Sequence, residues 1–175
     1  MQPEFLGRFA LGCALVLSQV SAWSQAGNGL DNLDWVEGPV PPPPSFSVER
    51  QIAIGMPPHV SVKVGVDPAT ISVGMDGVVR YVVIMTNGNG NTNAVYEGIR
   101  CVSDEVKTYA RLSAAGQWSM VNAPIWKGLG DNMPSRHAFA LARQGACQNR
   151  LATSPQEIIA ALKAPTRGLG GNKDF

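Results

Sequence analysis

The amino-acid sequence predicts an α+β fold, mainly an antiparallel β meander or a small β sandwich, with one or two short helices near the C-terminus. Residues 78–85 are a run of Val, Tyr, Ile and Met that only Arg80 interrupts, which is typical of a strand buried on most of both faces. Residues 86–93, TNGNGNTN, predict a hairpin tip, because Asn and Gly tolerate positive φ angles. Helical patterns follow only after residue 135.

Further strands are predicted after this tip. Residues 94–102 place four alternate residues on one face, which is apolar apart from one carboxylate: Val95, Glu97, Ile99 and Cys101. Residues 105–112 alternate between two sets, as in a half-solvated antiparallel strand: Val106, Thr108, Ala110 and Leu112 against Lys107, Tyr109 and Arg111. After a turn at residues 114–116, residues 117–121 predict a short fourth strand of the meander.

The region before the hairpin predicts shorter strands. Residues 46–66 contain two apolar runs on either side of Gly55-Met56-Pro57-Pro58, which breaks the pattern because proline cannot donate to a β ladder. Residues 70–73 predict an edge strand, and Asp76-Gly77 is a turn signal. The total of about six strands before residue 122 suits one folded sheet or a small sandwich.

Two helices are predicted at the C-terminal end. Residues 136–144 contain good helix formers, and Gly145 is expected to end that helix. The second helix is expected to begin at Thr153-Ser154-Pro155, a capping hydroxyl and a proline, and to end at Ala164-Pro165. One face of it is apolar and carries Ile158, Ile159 and Leu162.

The N-terminal residues 1–26 predict a secretory signal peptide. Arg8 precedes an apolar stretch over residues 9–20, and Ser24-Gln25-Ala26 places small residues where a signal peptidase cleaves. A membrane anchor is the alternative, but the stretch is shorter than the roughly 20 residues that a spanning helix needs. A lipoprotein signal at Cys13 would leave too short a hydrophobic core. We therefore expect a periplasmic or secreted protein.

Composition divides the mature chain into three segments. Residues 27–45 form an arm rich in Trp and Pro, residues 46–165 a single β-rich domain with its C-terminal helices, and residues 166–175 a tail that is expected to be disordered. Five of the six residues 39–44 are prolines, so the arm adopts polyproline II geometry. It could act as a spacer, as a ligand for a partner's aromatic groove, or as a strap that packs Trp35 on its own domain.

Charge argues against two classes of partner. The chain has 14 Lys and Arg against 13 Asp and Glu, and removal of residues 1–26 takes away one of each, so the net charge stays at +1. Nucleic acid or an anionic membrane surface would require a basic patch or run, which the sequence lacks. No stretch after residue 26 is long and apolar enough to span a membrane, so none is expected in the mature chain.

The cysteines predict a structural disulfide. Cys13 is lost with the signal peptide, which leaves Cys101 and Cys147 as an even pair in an oxidising compartment. A redox-active or metal-binding pair is the alternative, but no CxxC motif is present, and His59 and His137 stand at no recognisable ligand spacing. Accordingly, neither a metal nor another cofactor is expected.

A set of aromatic and glycine motifs resembles a known family. Residues 96–101, YEGIRC, are followed by a Lys107-x-Tyr109 pair, by Gly116-x-Trp118 and by Trp126. This combination is similar to the CNP-like family of secreted proteobacterial proteins, which is named for a cryptic neisserial protein. The resemblance covers roughly the mature chain and is most specific over residues 96–118. It implies an envelope protein with a shared β-rich domain, and it carries over no activity and no catalytic residue.

Two functions from different classes remain. The preferred one is a non-enzymatic binding or structural module, whose partner is an envelope protein or a cell-wall component and whose contact residues include Trp35, Trp118 and Trp126. The alternative is an enzyme acting on an envelope substrate through an unrecognised site that includes His137, Glu97 and Asp104. A deep pocket with clustered titratable groups would favour the enzyme, and a flat aromatic or apolar patch would favour the module.

The signal peptide gives a direct prediction. We expect the exported protein to begin at Gly27, because the Ser24-Gln25-Ala26 site follows the apolar stretch at the usual position. Intact-mass measurement of the protein recovered from the periplasm or the medium tests this. A mass that still includes residues 1–26, or a lipid adduct on Cys13, would contradict it.

Overall fold

The predicted β meander is present in a computed structural model, which describes residues 34–131 and 136–164. The predicted signal peptide at residues 1–26, the first part of the arm at residues 27–33 and the predicted tail at residues 166–175 lie outside the described residues. Eight strands form one antiparallel sheet, and two short helices follow near the C-terminus. The α+β prediction is therefore confirmed in its meander form, with one sheet and no sandwich among the described residues.

The long strands lie at the centre of the sheet and the short ones at its edges. The strands are β1 Ile52–Ile54, β2 Lys63–Val66, β3 Ser72–Val73, β4 Val78–Thr86, β5 Thr92–Arg100, β6 Glu105–Leu112, β7 Trp118–Met120 and β8 Lys127–Gly128. Their order in the sheet is β1-β2-β4-β5-β6-β7, with β3 also beside β4 and β8 also beside β6. Every pairing is antiparallel.

The hairpin of β4 and β5 is the centre of the fold. Its tip is the predicted Asn- and Gly-rich segment, in which the Asn87 side chain accepts hydrogen bonds from the backbone N–H groups of Asn89 and Asn91, both at 3.0 Å. Gly90 in the same turn has φ +82°, a conformation that glycine adopts without strain. β4 is buried on both faces through residue 84, as its composition predicts.

A β-bulge in β6 overturns one predicted face. Tyr96 pairs with Ala110 but Glu97 pairs with Thr108, so Tyr109 is the extra residue. The strict alternation predicted for residues 105–112 is therefore wrong after Thr108. Ala110 and Leu112 pack with Tyr109, and Arg111 moves to the face of Val106 and Thr108.

One face of the sheet, called here the helix face, is covered by the helices. Helix α1, His137–Leu141, is shorter than predicted because it widens into a π-helical turn, Ala142–Ala146, that closes at Gly145 with φ +156°. Helix α2, Pro155–Lys163, begins with a capping box between Ser154 and Glu157, and it buries Ile158 and Leu162 as predicted. In residues 34–131 and 136–164 no helix is long and apolar enough to cross a membrane.

The opposite face, called here the arm face, is covered by residues 35–46. Val40 and Phe46 of this segment pack on buried residues of the sheet, which are Val82, Ile84, Ala94, Tyr96, Tyr109 and Ala110. Glu37 contributes polar contacts: it binds Lys107 Nζ at 2.5 Å and accepts a hydrogen bond from the Tyr109 hydroxyl at 2.6 Å. The segment packs on the domain of its own chain.

A disulfide joins the sheet to the helical region. Cys101 follows β5 directly, Cys147 follows the π-helical turn, and their sulfur atoms are bonded at 2.01 Å, as the cysteine count predicts. The bond closes a separation of 46 residues. In the chain-entropy view a loop of this length stabilises the fold by about 4 kcal/mol, because it restricts the unfolded chain.

Removal of this bond is expected to cost about 2 to 5 kcal/mol in the free energy of unfolding, since the unfolded chain regains its freedom. The test is urea denaturation of a Cys101→Ser, Cys147→Ser double variant, with wild-type protein in reducing agent as the matched control. Both samples are expected to lose similar stability. Two titratable thiols in the denatured, unreduced wild-type protein would contradict the bond itself.

Candidate functional site

The helices leave part of the helix face uncovered, and this part forms a groove. Its floor consists of side chains from β4, β5 and β6, and its wall consists of Val121, residues 123–125 and Lys127, which follow β7. The cavity has a volume of about 390 Å³, within the roughly 300–1,000 Å³ that is typical of small-ligand sites. Most of its lining is apolar, contributed by Met85, Val95, Val106, Val121, Ala123, Pro124 and Ile125.

A buried carboxylate lies at the centre of the groove floor. Glu97 is only 4% exposed, and its carboxylate oxygens accept hydrogen bonds from the hydroxyls of Tyr81 and Thr108, both at 3.1 Å. These two residues are its direct neighbours in the β ladder, Tyr81 on β4 and Thr108 on β6. His137 Nε2, at the first residue of α1, lies 2.7 Å from Glu97 Oε2 and completes the cluster.

The electrostatics of Glu97 depend on these partners. Burial by itself would raise the pKa of the Glu97 carboxyl, because a low-dielectric surrounding disfavours charge. The charge of His137 and the hydrogen bonds from His137, Thr108 and Tyr81 act in the opposite direction and together lower the pKa below its ordinary value. The same neighbourhood raises the pKa of the Tyr81 hydroxyl, by burial first and by the Glu97 charge second. Glu97 is therefore held as an anion, and Tyr81 as a neutral hydrogen-bond donor.

Two cations line the groove near opposite ends of β6. Arg111 lines it because the bulge at Tyr109 turns its side chain to the helix face, where its ladder partner is Val95. Lys127 lines it from β8, where it pairs with Val106. Both side chains are exposed. The site thus combines an apolar channel, a polar floor and a positive rim.

The three tryptophans expected to bind a partner all lie on the arm face, outside the groove. Trp35 donates a hydrogen bond from Nε1 to the Asp76 carbonyl at 2.9 Å, and the Arg100 guanidinium lies 3.9 Å from the centre of its ring. Trp126 packs edge-on against Trp35, with 5.8 Å between ring centres. Trp118 packs edge-on against Phe46 at 6.0 Å. Each of these rings is half-buried within its own domain.

The residues of the predicted enzyme site are only partly brought together. Glu97 and His137 are in direct contact. Asp104 is exposed in the turn after Cys101, where it forms an ion pair of 3.4 Å with Arg150, and it does not line the groove. Within the described ranges, no three His, Cys, Asp or Glu side chains are grouped as a metal site would require.

Comparison with known proteins identifies the family. Residues 31–163 match the CNP1-like family. The chain belongs to the CNP1-like family. This confirms the resemblance that residues 96–126 carry. No curated protein and no solved structure matches this CNP1-like chain.

Sequence reasoning missed most of the groove of this CNP1-like protein. Tyr81 and Thr108 have the pattern of ordinary strand residues, and only their ladder register against Glu97 makes them its partners. Arg111 was predicted on the opposite face because a bulge leaves no mark in the alternation of residues 105–112. Lys127 belongs to a two-residue strand that has no signature of its own.

Glu97 is expected to make stability depend on pH. Its pKa is lower in the folded than in the unfolded chain, so its contribution is complete above the ordinary value of 4.5 and is lost as the pH falls below it. At neutral pH a Glu97→Gln variant is expected to lose about 1.5 to 3 kcal/mol in the free energy of unfolding, the usual contribution of a hydrogen bond to a charged group. Urea denaturation between pH 7 and pH 3 measures this.

The difference between wild type and Glu97→Gln should shrink as the solution is acidified, because Glu97 itself then becomes neutral. Glu105→Gln is the matched control, since Glu105 lies on the neighbouring strand and its side chain is 29% exposed. A difference that stays constant down to pH 3 would mean that the charge of Glu97 does not stabilise the fold.

Proposed function

We propose that this chain is an exported, non-enzymatic binding module of the cell envelope, and that the groove on its helix face is the ligand site. The observation that carries the proposal is the groove itself, an apolar cavity of about 390 Å³ with a few polar groups fixed at its floor. Ligand sites in proteins commonly have this composition. The expected ligand is a small envelope component or a protruding part of a larger one.

Export is supported by two observations. The apolar run with its Ser24-Gln25-Ala26 site is typical of a cleaved signal peptide. The bond between Cys101 and Cys147 is of a kind that persists in the periplasm or outside the cell, because reducing systems keep thiols free in the cytosol.

Binding is favoured over catalysis because the polar groups of the floor are already engaged. Glu97 accepts hydrogen bonds from Tyr81, Thr108 and His137. Among the described residues, Thr108 supplies the hydroxyl of the groove lining, and it donates to Glu97, whose lowered pKa makes this carboxylate a weak base for activating a nucleophile. Such a cluster holds the floor rigid, and a rigid floor favours tight binding because little order is lost when the ligand enters.

An enzyme acting on an envelope substrate is the second candidate. The contact of His137 with Glu97 favours it, since a carboxylate that orients an imidazole is a common way to prepare a general base. His137 also lines the groove, so a bound ligand would contact it. In this case the ligand would leave the groove chemically changed.

The test is native mass spectrometry of the exported protein after incubation with a small-molecule extract of the envelope. We expect an adduct on the wild-type protein and its loss in Val121→Trp, because Val121 forms part of the groove wall. Met120→Trp is the matched control, because Met120 precedes Val121 directly, and its side chain is 60% exposed and does not line the groove. A wild-type protein without any adduct would contradict the proposal.

The same experiment separates the two candidates. A binding module releases its ligand with an unchanged mass. Release of a product with a different mass, which a His137→Gln variant fails to form while the intact ligand remains bound, would establish the enzyme.

A further inference from the structure

The chemistry of the groove narrows the class of its ligand, an inference that rests on the proposed function. Arg111 and Lys127 form no ion pair with a carboxylate in residues 34–131 and 136–164, and both line the groove. Among the described residues, Glu97 is the one carboxylate of the lining, and it is buried and paired with His137. The groove therefore presents uncompensated positive charge to a ligand.

The two cations are far apart when their positions are measured along β6. Lys127 lies opposite Val106, and Arg111 follows five residues further along β6. At about 3.3 Å per residue their backbones are separated by roughly 15 Å. Between them the floor and wall are apolar except for the cluster around Glu97. The groove is thus an elongated apolar channel with a cation at either end.

We propose that the ligand is a free, single-chain anionic amphiphile, with an apolar body along the channel and a carboxylate or phosphate at one of the two cations. The apolar lining accounts for the body of the ligand, because burial of apolar surface contributes most of the affinity for small ligands. The cations account for the acidic group, because unpaired positive charge attracts an anion and repels a cation. The volume of about 390 Å³ limits the occupant to one short chain.

The test uses decanoate as the anionic probe and 1-decanol as its neutral equivalent, each below the concentration at which it aggregates. Isothermal titration of the exported protein measures both affinities. We expect decanoate to bind more tightly than decanol, and to weaken as salt is added, because ions screen the attraction. One of the two variants Arg111→Gln and Lys127→Gln, the one that removes the cation at the carboxylate, is expected to weaken decanoate binding roughly five- to tenfold. The affinity for decanol is expected to stay the same in both variants.

Lys63→Gln is the matched control. Lys63 is an exposed cation of β2 in the same sheet, and it does not line the groove, so its loss is expected to change neither affinity. Equal affinities for decanoate and decanol, or equal effects of the three cation variants, would overturn the anionic assignment. Such a result would leave the groove as the binding site, provided that Val121→Trp still prevents binding of both probes.

Failure of the proposed function gives a different result. If Val121→Trp binds both probes as the wild type does, the groove is not a ligand site, and both proposals fall. Binding to a bilayer surface is tested in a separate experiment, in which vesicles of phosphatidylglycerol replace decanoate. Flotation of the protein with these vesicles, combined with no binding of decanoate, would assign the cations to a membrane surface and overturn the free ligand.

Discussion

The two central strands, β4 and β5, are buried and largely apolar on both faces, and this constraint determines the rest of the structure. A sheet of this kind must be covered twice, because each exposed apolar face would cost free energy in water. The chain covers one face with α1 and α2 and the other with residues 35–46. Two helices of five and nine residues are too short to cover all of an eight-stranded sheet, and the uncovered part along β5 and β6 is the groove. The site is therefore a consequence of incomplete coverage.

Helix α1 and its π-helical turn are fastened to β5 at both ends by different means. His137 at the start contacts Glu97, and Cys147 at the end is bonded to Cys101. The disulfide mainly restricts the unfolded chain. The carboxylate carries a desolvation cost of several kcal/mol that its partners must offset, and an apolar pair could hold the helix as firmly. The polar contact adds direction, because it fixes the orientation of the imidazole beside the groove floor.

Local patterns were sufficient to predict the parts of the fold that local interactions specify. The hairpin tip over residues 86–93 and the start of α2 after a capping hydroxyl each have a signature within a few residues, and the pair of remaining cysteines follows from a simple count. The bulge at Tyr109 has none, because its causes are distant. Glu37 binds the Tyr109 hydroxyl from the arm, and Gly98 leaves space for the ring, since a Cβ there would lie 2.5 Å from the hydroxyl oxygen. Such a bulge reverses the orientation of every side chain that follows it, which is why the position of Arg111 could not be predicted.

The distribution of charge shows why composition gave no indication of a site. On the arm face Glu37 and Asp76 neutralise Lys107 and Arg80, through ion pairs of 2.5 and 2.6 Å. On the helix face the buried carboxylate is matched by His137, and the cations at the ends of the groove have no carboxylate partner among the described residues. A net charge of +1 thus conceals one balanced face and one locally positive face. Net charge governs solubility and long-range steering, whereas recognition of a ligand depends on which charges lack a partner within a few ångströms.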